Sequence, residues 1–169
     1  MSKQQLYDFN HQIKINYTHR PTIDLVLINP LRQSYKTVNV ENAIIDSGAD
    51  RVCVPESYGK IIGHDISATK ANEQPVNLGG IADCVTGFKH SAELLLLNPA
   101  TNEPIDFLTS VNTDIYFTAY RGETEKKLDV DHPMLLGRDG FFDHFLITFY
   151  TTPTEKFVKL TPKASLVSE

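Results

Sequence analysis

Short apolar stretches recur along the chain, and many of them alternate between apolar and polar residues. Alternation with a period of two and enrichment in β-branched residues are typical of strands, whereas no segment sustains a helical period for long. We therefore predict an all-β fold class, mainly β with one or two short helices. The predicted strands cover residues 23–28, 35–40, 43–45, 51–54, 91–97, 133–137, 146–151 and 156–160, with one or two more within 105–119.

Turn-forming residues separate these strands. A turn-like break around Pro153 predicts a C-terminal hairpin over residues 145–162. Asp139 is placed to cap a short helix over residues 140–145, because its carboxylate can accept the unpaired N–H groups of a first turn. No internal repeat and no linker divides the sequence, which predicts a single domain over residues 1–169.

The composition changes this picture little. The chain has 169 residues, enough for one sizeable hydrophobic core. Its hydrophobic and charged fractions, 41% and 22%, are those of an ordinary globular protein. The formal net charge is -5 and the cations are scattered, whereas nucleic-acid backbones bind clustered cations. We therefore expect no nucleic acid among the partners.

No apolar run approaches the roughly 18 residues needed to span a bilayer, and the first residues lack the apolar stretch of a secretory signal. The sequence therefore predicts a cytoplasmic protein with no membrane contact. Cys53 and Cys84 suit neither a disulfide framework nor a zinc site, which needs more ligands at tighter spacing. We interpret both as buried free thiols, and Asp129, Asp131 and His132 as part of a solvated loop. No metal and no cofactor are expected.

The sharpest chemical signal is an apolar strand over residues 43–45 that leads into Asp46, Ser47 and Gly48. A carboxylate at the end of a buried strand is costly unless it is hydrogen-bonded or shares a proton. Gly48 allows a tight turn beside Asp46, and the Ser47 hydroxyl can tie this loop to a neighbour. Asp-Ser-Gly also occurs as a plain turn, so the tripeptide alone does not decide between a turn and a catalytic site.

Two further segments change this balance. Residues 134–140, Met-Leu-Leu-Gly-Arg-Asp-Gly, place a glycine, an arginine and an acid after an apolar strand. Residues 77–83, Asn-Leu-Gly-Gly-Ile-Ala-Asp, place two glycines between apolar residues, which suits a mobile hairpin. In order and spacing, the three segments resemble the retropepsin-like aspartic proteases, the single-domain relatives of retroviral proteases and of pepsin lobes.

The resemblance is strongest over residues 23–150 and implies an acid-protease single-lobe barrel that carries an N-terminal extension over residues 1–20. It implies that Asp46 is the catalytic residue. By the same resemblance, the other site residues are the active-site loop Ser47, Gly48 and Ala49, the flap and substrate-binding segment Leu78, Gly79, Gly80, Ile81 and Ala82, and the second hydrophobic-glycine motif Leu135, Leu136 and Gly137.

The resembling family hydrolyses peptide bonds with a water molecule held between two aspartates, which share one proton because they lie about 3 Å apart. This chain has a single Asp-Ser/Thr-Gly, so the resemblance implies a homodimer in which a second copy supplies the second aspartate. The polypeptide substrate is expected to lie extended beneath the flaps. The rival interpretations are a dimeric binding or scaffold protein with little or no proteolysis, and an enzyme that cuts only itself or one partner.

The resemblance also implies an ion pair, because the family's acid after Asp-Ser/Thr-Gly-Ala contacts the arginine of the second motif. We predict a partly buried pair between Asp50 and Arg138 that braces the active-site loop and supports the dimer. The alternative is two solvated charges that contribute little. A nucleophilic Ser47 is disfavoured, because the sequence lacks a Gly-x-Ser-x-Gly elbow and a histidine that can be assigned as its base.

Overall fold

The computed structural model describes residues 6–31, 36–64, 76–78, 85–120 and 132–168. Within these ranges the chain is mainly β, which confirms the predicted class. The strands are β1 (Ile13–Asn16), β2 (Thr22–Ile28), β3 (Thr37–Ile45), β4 (Cys53–Pro55), β5 (Val76–Leu78), β6 (Val85–Leu96), β7 (Val111–Tyr120), β8 (Leu135–Leu136), β9 (Phe145–Thr151) and β10 (Lys156–Pro162). The described residues add one α-helix, α1 (Glu56–Ile61), and a 3₁₀ turn at Ala164–Leu166.

Seven strands form one sheet in the order β2-β3-β8-β4-β7-β6-β5. The long strand β6 pairs with β5 near its start and with β2 near its end, while β7 runs along its other side. Because β2 and β6 pair, the sheet closes on itself. Along β2 every second residue is buried, so alternate side chains point into the interior. The largest fully buried side chains of this closed sheet are Leu25, Leu27, Leu94, Leu96, Ile115, Phe117 and Leu136.

The other three strands form an antiparallel sheet in the order β1-β10-β9. Strands β9 and β10 are the predicted C-terminal hairpin, and at its turn the Thr152 N–H donates to the Glu155 carbonyl at 2.8 Å. Strand β1 lies within the predicted N-terminal extension, pairs with β10 and buries Ile13 and Ile15. The extension therefore supplies a strand of the fold. One face of this open sheet shares a hydrophobic core with the closed sheet.

Two predicted regions each hold one strand. Residues 105–119 contain only β7, within the described part of the chain. The separate strands predicted at residues 35–40 and 43–45 are one element, β3, although residue 35 lies outside the described residues. The register between β2 and β3 shifts near Asn42, which has a φ of 57° and donates its N–H to Asp24 Oδ1 at 2.7 Å. This irregularity interrupts the alternation of apolar and polar residues, which explains why the sequence predicted two strands instead of one.

The helix predicted over residues 140–145 is wrong. Turns occupy residues 140–144, and β9 begins at Phe145. Gly140 has a φ of 105°, far from helical values, and its N–H donates to Asp143 Oδ2 at 3.0 Å. The carboxylate that ties this segment together is therefore that of Asp143 and not that of Asp139.

Helix α1 has no counterpart among the predicted elements. It follows Pro55, and Lys60 Nζ lies 2.7 Å from Glu56 Oε1 one turn away. The acid in the first turn and the cation in the last turn both complement the helix dipole. Six residues are too few for an apolar period to be recognised, which explains why the pattern missed it. No helix in the described ranges is long and apolar enough to cross a membrane.

Candidate functional site

A parallel strand pair brings the Asp46-Ser47-Gly48 segment and the segment of residues 134–140 together. Ile44 and Ile45 of β3 lie beside Leu135 and Leu136 of β8, and the strands run in the same direction. Both strands therefore end at the same place. There the Asp46 N–H donates to the Leu136 carbonyl at 3.1 Å. This hydrogen bond holds residues 46–49, which we call the acidic turn, against the second motif.

The Asp46 carboxylate is held by its own turn. Its Oδ1 accepts the Gly48 N–H at 2.8 Å, and the Asp46 carbonyl accepts the Ala49 N–H at 3.2 Å. Asp46 is half-buried, whereas Ser47 and Gly48 are exposed. A Cβ atom on Gly48 would lie 3.1 Å from Asp46 Oδ1, so a larger residue there would press on the carboxylate.

The second motif locks onto the acidic turn through its backbone. Arg138 donates its N–H to the Ala49 carbonyl at 2.9 Å, and Asp139 donates to the Asp50 carbonyl at 2.8 Å. Gly137 is required at this crossing, because a Cβ atom would lie 2.2 Å from the Arg51 carbonyl oxygen and 2.7 Å from that of Ala49. Leu135 and Leu136 are buried beneath it.

The predicted ion pair between Asp50 and Arg138 forms, with Arg138 Nη2 against Asp50 Oδ1. The prediction that it is partly buried is wrong for the single chain, since the side chains are 71% and 60% exposed. Asp50 follows the exposed turn at Ser47 and Gly48, and Arg138 begins the turn after β8, so both side chains extend into solvent. Water screens such a pair, and in one chain it contributes little to stability.

Arg51 is a residue that the sequence did not single out. Its Nη1 donates to the Tyr116 hydroxyl at 2.8 Å, and its guanidinium carbon lies 4.9 Å from the centre of that ring. Arg51 Nη1 also lies 3.8 Å from Asp139 Oδ2. Its position directly after Asp50 was the available signal, but its partner Tyr116 is 65 positions away.

Arg51, Tyr116 and Asp139 line a groove of about 460 Å³ beside the acidic turn. Asp143 and His144 line it as well, whereas Asp46 does not. Burial lowers the pKa of His144, and the nearby charge of Lys163 lowers it further. The imidazole is therefore held toward its neutral form, and the groove carries more negative than positive charge.

Cys53 lies at the start of β4 and is buried without a disulfide, as predicted. Burial raises the pKa of its thiol to about 11, while the charge of Arg51 acts in the opposite direction and that of Asp46 raises it further. A thiol with this pKa stays protonated at neutral pH and is a poor nucleophile. Cys84 lies outside the described residues.

Most of the predicted flap also lies outside the described residues, namely Gly79, Gly80, Ile81 and Ala82. Leu78 ends β5 and pairs with Val85 at the start of β6, so two antiparallel strands flank the segment. Among the described side chains, no group of three or more histidine, cysteine, aspartate or glutamate residues could hold a metal ion.

Comparison with models of known protein families, with curated proteins and with solved structures gives no match. What the site can do must therefore follow from its own side chains. A single half-exposed carboxylate can accept or donate one proton. It cannot hold a nucleophilic water and protonate a carbonyl at the same time, so hydrolysis at Asp46 requires a second acid.

Proposed function

We propose that the chain is one subunit of an aspartic endopeptidase, in which Asp46 and the Asp46 of a second copy form the catalytic pair. The observation that carries the proposal is the parallel pairing of β3 with β8, which sets a half-exposed carboxylate against the Gly137-Arg138-Asp139 turn. The closed sheet around this pair supports a retropepsin-like single-lobe barrel. Ser47, exposed next to Asp46, is free to reach the turn of the second copy.

The proposed chemistry follows from the electrostatics of two adjacent acids. At a separation of about 3 Å only one of them ionises readily, and the pair titrates as a unit. The ionised carboxylate removes a proton from water while the water oxygen attacks the peptide carbonyl carbon. The protonated carboxylate donates its proton to the carbonyl oxygen, and collapse of the tetrahedral intermediate transfers a proton to the leaving nitrogen as the C–N bond breaks.

The decisive test compares wild type with Asp46→Asn. Each protein is incubated with an unfolded protein and a diverse peptide mixture from mildly acidic to neutral pH, and cleavage is followed by mass spectrometry. We expect cleavage by wild type alone, blocked by a statine-type analogue of the tetrahedral intermediate. Asp106→Asn, which removes an exposed acid away from the site, is the matched control and should cleave like wild type.

The groove at Arg51 favours a second candidate, a dimeric binding protein with the same fold. Its volume of about 460 Å³ and its anchored arginine do not involve the Asp46 side chain. A folded, dimeric wild type that cleaves nothing at any pH would support this candidate and contradict the proteolytic one.

A further inference from the structure

Strand β9 lies at an open edge. In the order β1-β10-β9, one side of β9 pairs with β10, and the described residues place no strand on its other side. An unpaired edge presents a row of N–H and C=O groups that can hydrogen-bond to another strand. The seven residues of β9, Phe-Leu-Ile-Thr-Phe-Tyr-Thr, have high strand propensity.

The hydrogen bonds of the hairpin identify the outward groups. Lys163 donates its N–H to the His144 carbonyl at 3.0 Å, and Thr152 donates to Glu155 at 2.8 Å. Even-numbered positions of β9 therefore bond to β10, because an antiparallel ladder alternates along each strand. It follows that the backbone groups of the odd-numbered residues point to the open side. These residues are Phe145, Ile147, Phe149 and Thr151.

The absence of charged residues from β9 favours a second copy as the occupant. A two-fold axis places residues of β9 close to the same residues of its mate, where like charges would repel. No residue of β9 carries a charge. Leu146, Phe149 and Tyr150 are 39%, 43% and 37% exposed, so apolar surface is available for burial.

The other edge of the open sheet is less suitable. Strand β1 has only four residues, and Lys14 on it would approach its own copy or lose its partner Glu155, 2.5 Å away. Strand β9, by contrast, follows the turn of residues 137–144, which is bonded to the Asp46 turn. Strand β9 therefore begins directly after a segment that is hydrogen-bonded to residues 46–50.

We infer that two copies associate by antiparallel pairing of β9 with its mate, which joins the two open sheets into one continuous sheet across the two-fold axis. This inference rests on the proposed function, since one Asp46 cannot complete the catalytic pair without the second copy. The partner therefore contributes both a strand to the interface and an aspartate to the site.

The test removes one outward N–H from the full-length protein. Phe149→Pro deletes an N–H that the hairpin does not use, and proline is tolerated on an edge strand. Phe149→Ala, the matched control, removes the same side chain but keeps the N–H. By sedimentation equilibrium, we expect the dimer dissociation constant of Phe149→Pro to be about 100-fold higher than that of Phe149→Ala. The substitution is present in both copies, so two hydrogen bonds are lost, and the proline ring also obstructs the neighbouring strand.

Circular dichroism checks that each variant folds. If Phe149→Pro does not fold, Ile147→Pro removes the N–H at a second outward position instead. Proline variants that fold and dimerise like Phe149→Ala would overturn the interface. If such variants also cleave peptides, the interface is wrong while the proposed function stands. If wild type dimerises through β9 but never cleaves a peptide, the inferred interface stands and the proposed proteolytic function is wrong. A strictly monomeric wild type overturns both.

Discussion

The closed and open sheets differ in how their strands are paired. In the closed sheet, β2 also pairs with β6, which closes the sheet. The Asp46 turn follows β3, which runs parallel to β8 in this sheet. The open sheet ends in β9, with three apolar side chains more than a third exposed. The candidate catalytic carboxylate thus follows a strand that is paired on both sides, whereas the capacity for further strand pairing lies in a different region.

The largest effect on stability should come from a substitution at Gly137, where the backbone of Arg51 and Ala49 approaches closely. Gly137→Ala would drive a Cβ atom to 2.2 Å from a backbone oxygen that cannot rotate away. We expect a loss of about 3 kcal/mol in the free energy of unfolding, measured by urea denaturation.

Gly48→Ala is the control for this crossing. Its nearest contact is the Asp46 carboxylate at 3.1 Å, which can turn aside. We expect near-normal stability together with a marked loss of peptide cleavage. Equal stability of the Gly137 and Gly48 variants would contradict the role assigned to Gly137.

The next effect tests whether the two sheets unfold together. Leu160 in β10 is fully buried and belongs to the core that both sheets share. Leu160→Ala should lower the free energy of unfolding by about 2 kcal/mol. A single unfolding transition should remain, with the same midpoint by near-UV and by far-UV circular dichroism. Two separated transitions would mean that the open sheet unfolds as an independent unit.

A smaller effect should follow Arg138→Lys. The pair with Asp50 is exposed in one chain, so we expect a stability change of no more than about 1 kcal/mol. The planar guanidinium suits a carboxylate better than an ammonium does, so the dimer should weaken measurably in sedimentation. Lys14→Ala, which breaks another exposed pair in the open sheet, is the control and should leave the dimer unchanged. Identical sedimentation of wild type and Arg138→Lys would remove the bracing role.

The smallest effect concerns the junction between the sheets, where His144 lies between β8 and β9. Burial lowers its pKa from the ordinary 6.5, so below that pH the unfolded chain binds a proton more readily than the folded chain does. Stability should therefore fall as pH drops below 6.5, and this contribution should vanish above it. Between pH 7 and 5, we expect the melting temperature of His144→Gln to fall less than that of wild type, by under about 2 °C. Parallel curves would exclude the effect.

The sequence predicted what depends on local pattern. Alternation predicted the β class, and a proline-centred break predicted the β9–β10 hairpin, because both are properties of neighbouring residues. The Asp46-Ser47-Gly48 segment and the segment of residues 134–140 were also recognisable as short sequence motifs. The helix at residues 140–145 failed because Asp143, and not Asp139, holds a turn in which Gly140 has a positive φ.

Other features depend on residues far apart in sequence. The close approach at Gly137 involves the backbone of Arg51, and the groove depends on Tyr116 anchoring the same arginine. Exposure of the Asp50–Arg138 pair depends on which way a solvent-facing turn directs its side chains. No local pattern carries this information.

The pairing of Ile44 with Leu135 has a consequence for how the protein forms. Contacts between distant positions require closure of a long loop, which makes them slow and late steps of folding. During synthesis, β3 leaves the ribosome long before β8 exists, so the Asp46 turn has no partner until most of the chain has been translated. The acid therefore gains its native surroundings only near the end of folding, and fragments that stop before Leu135 should lack them altogether.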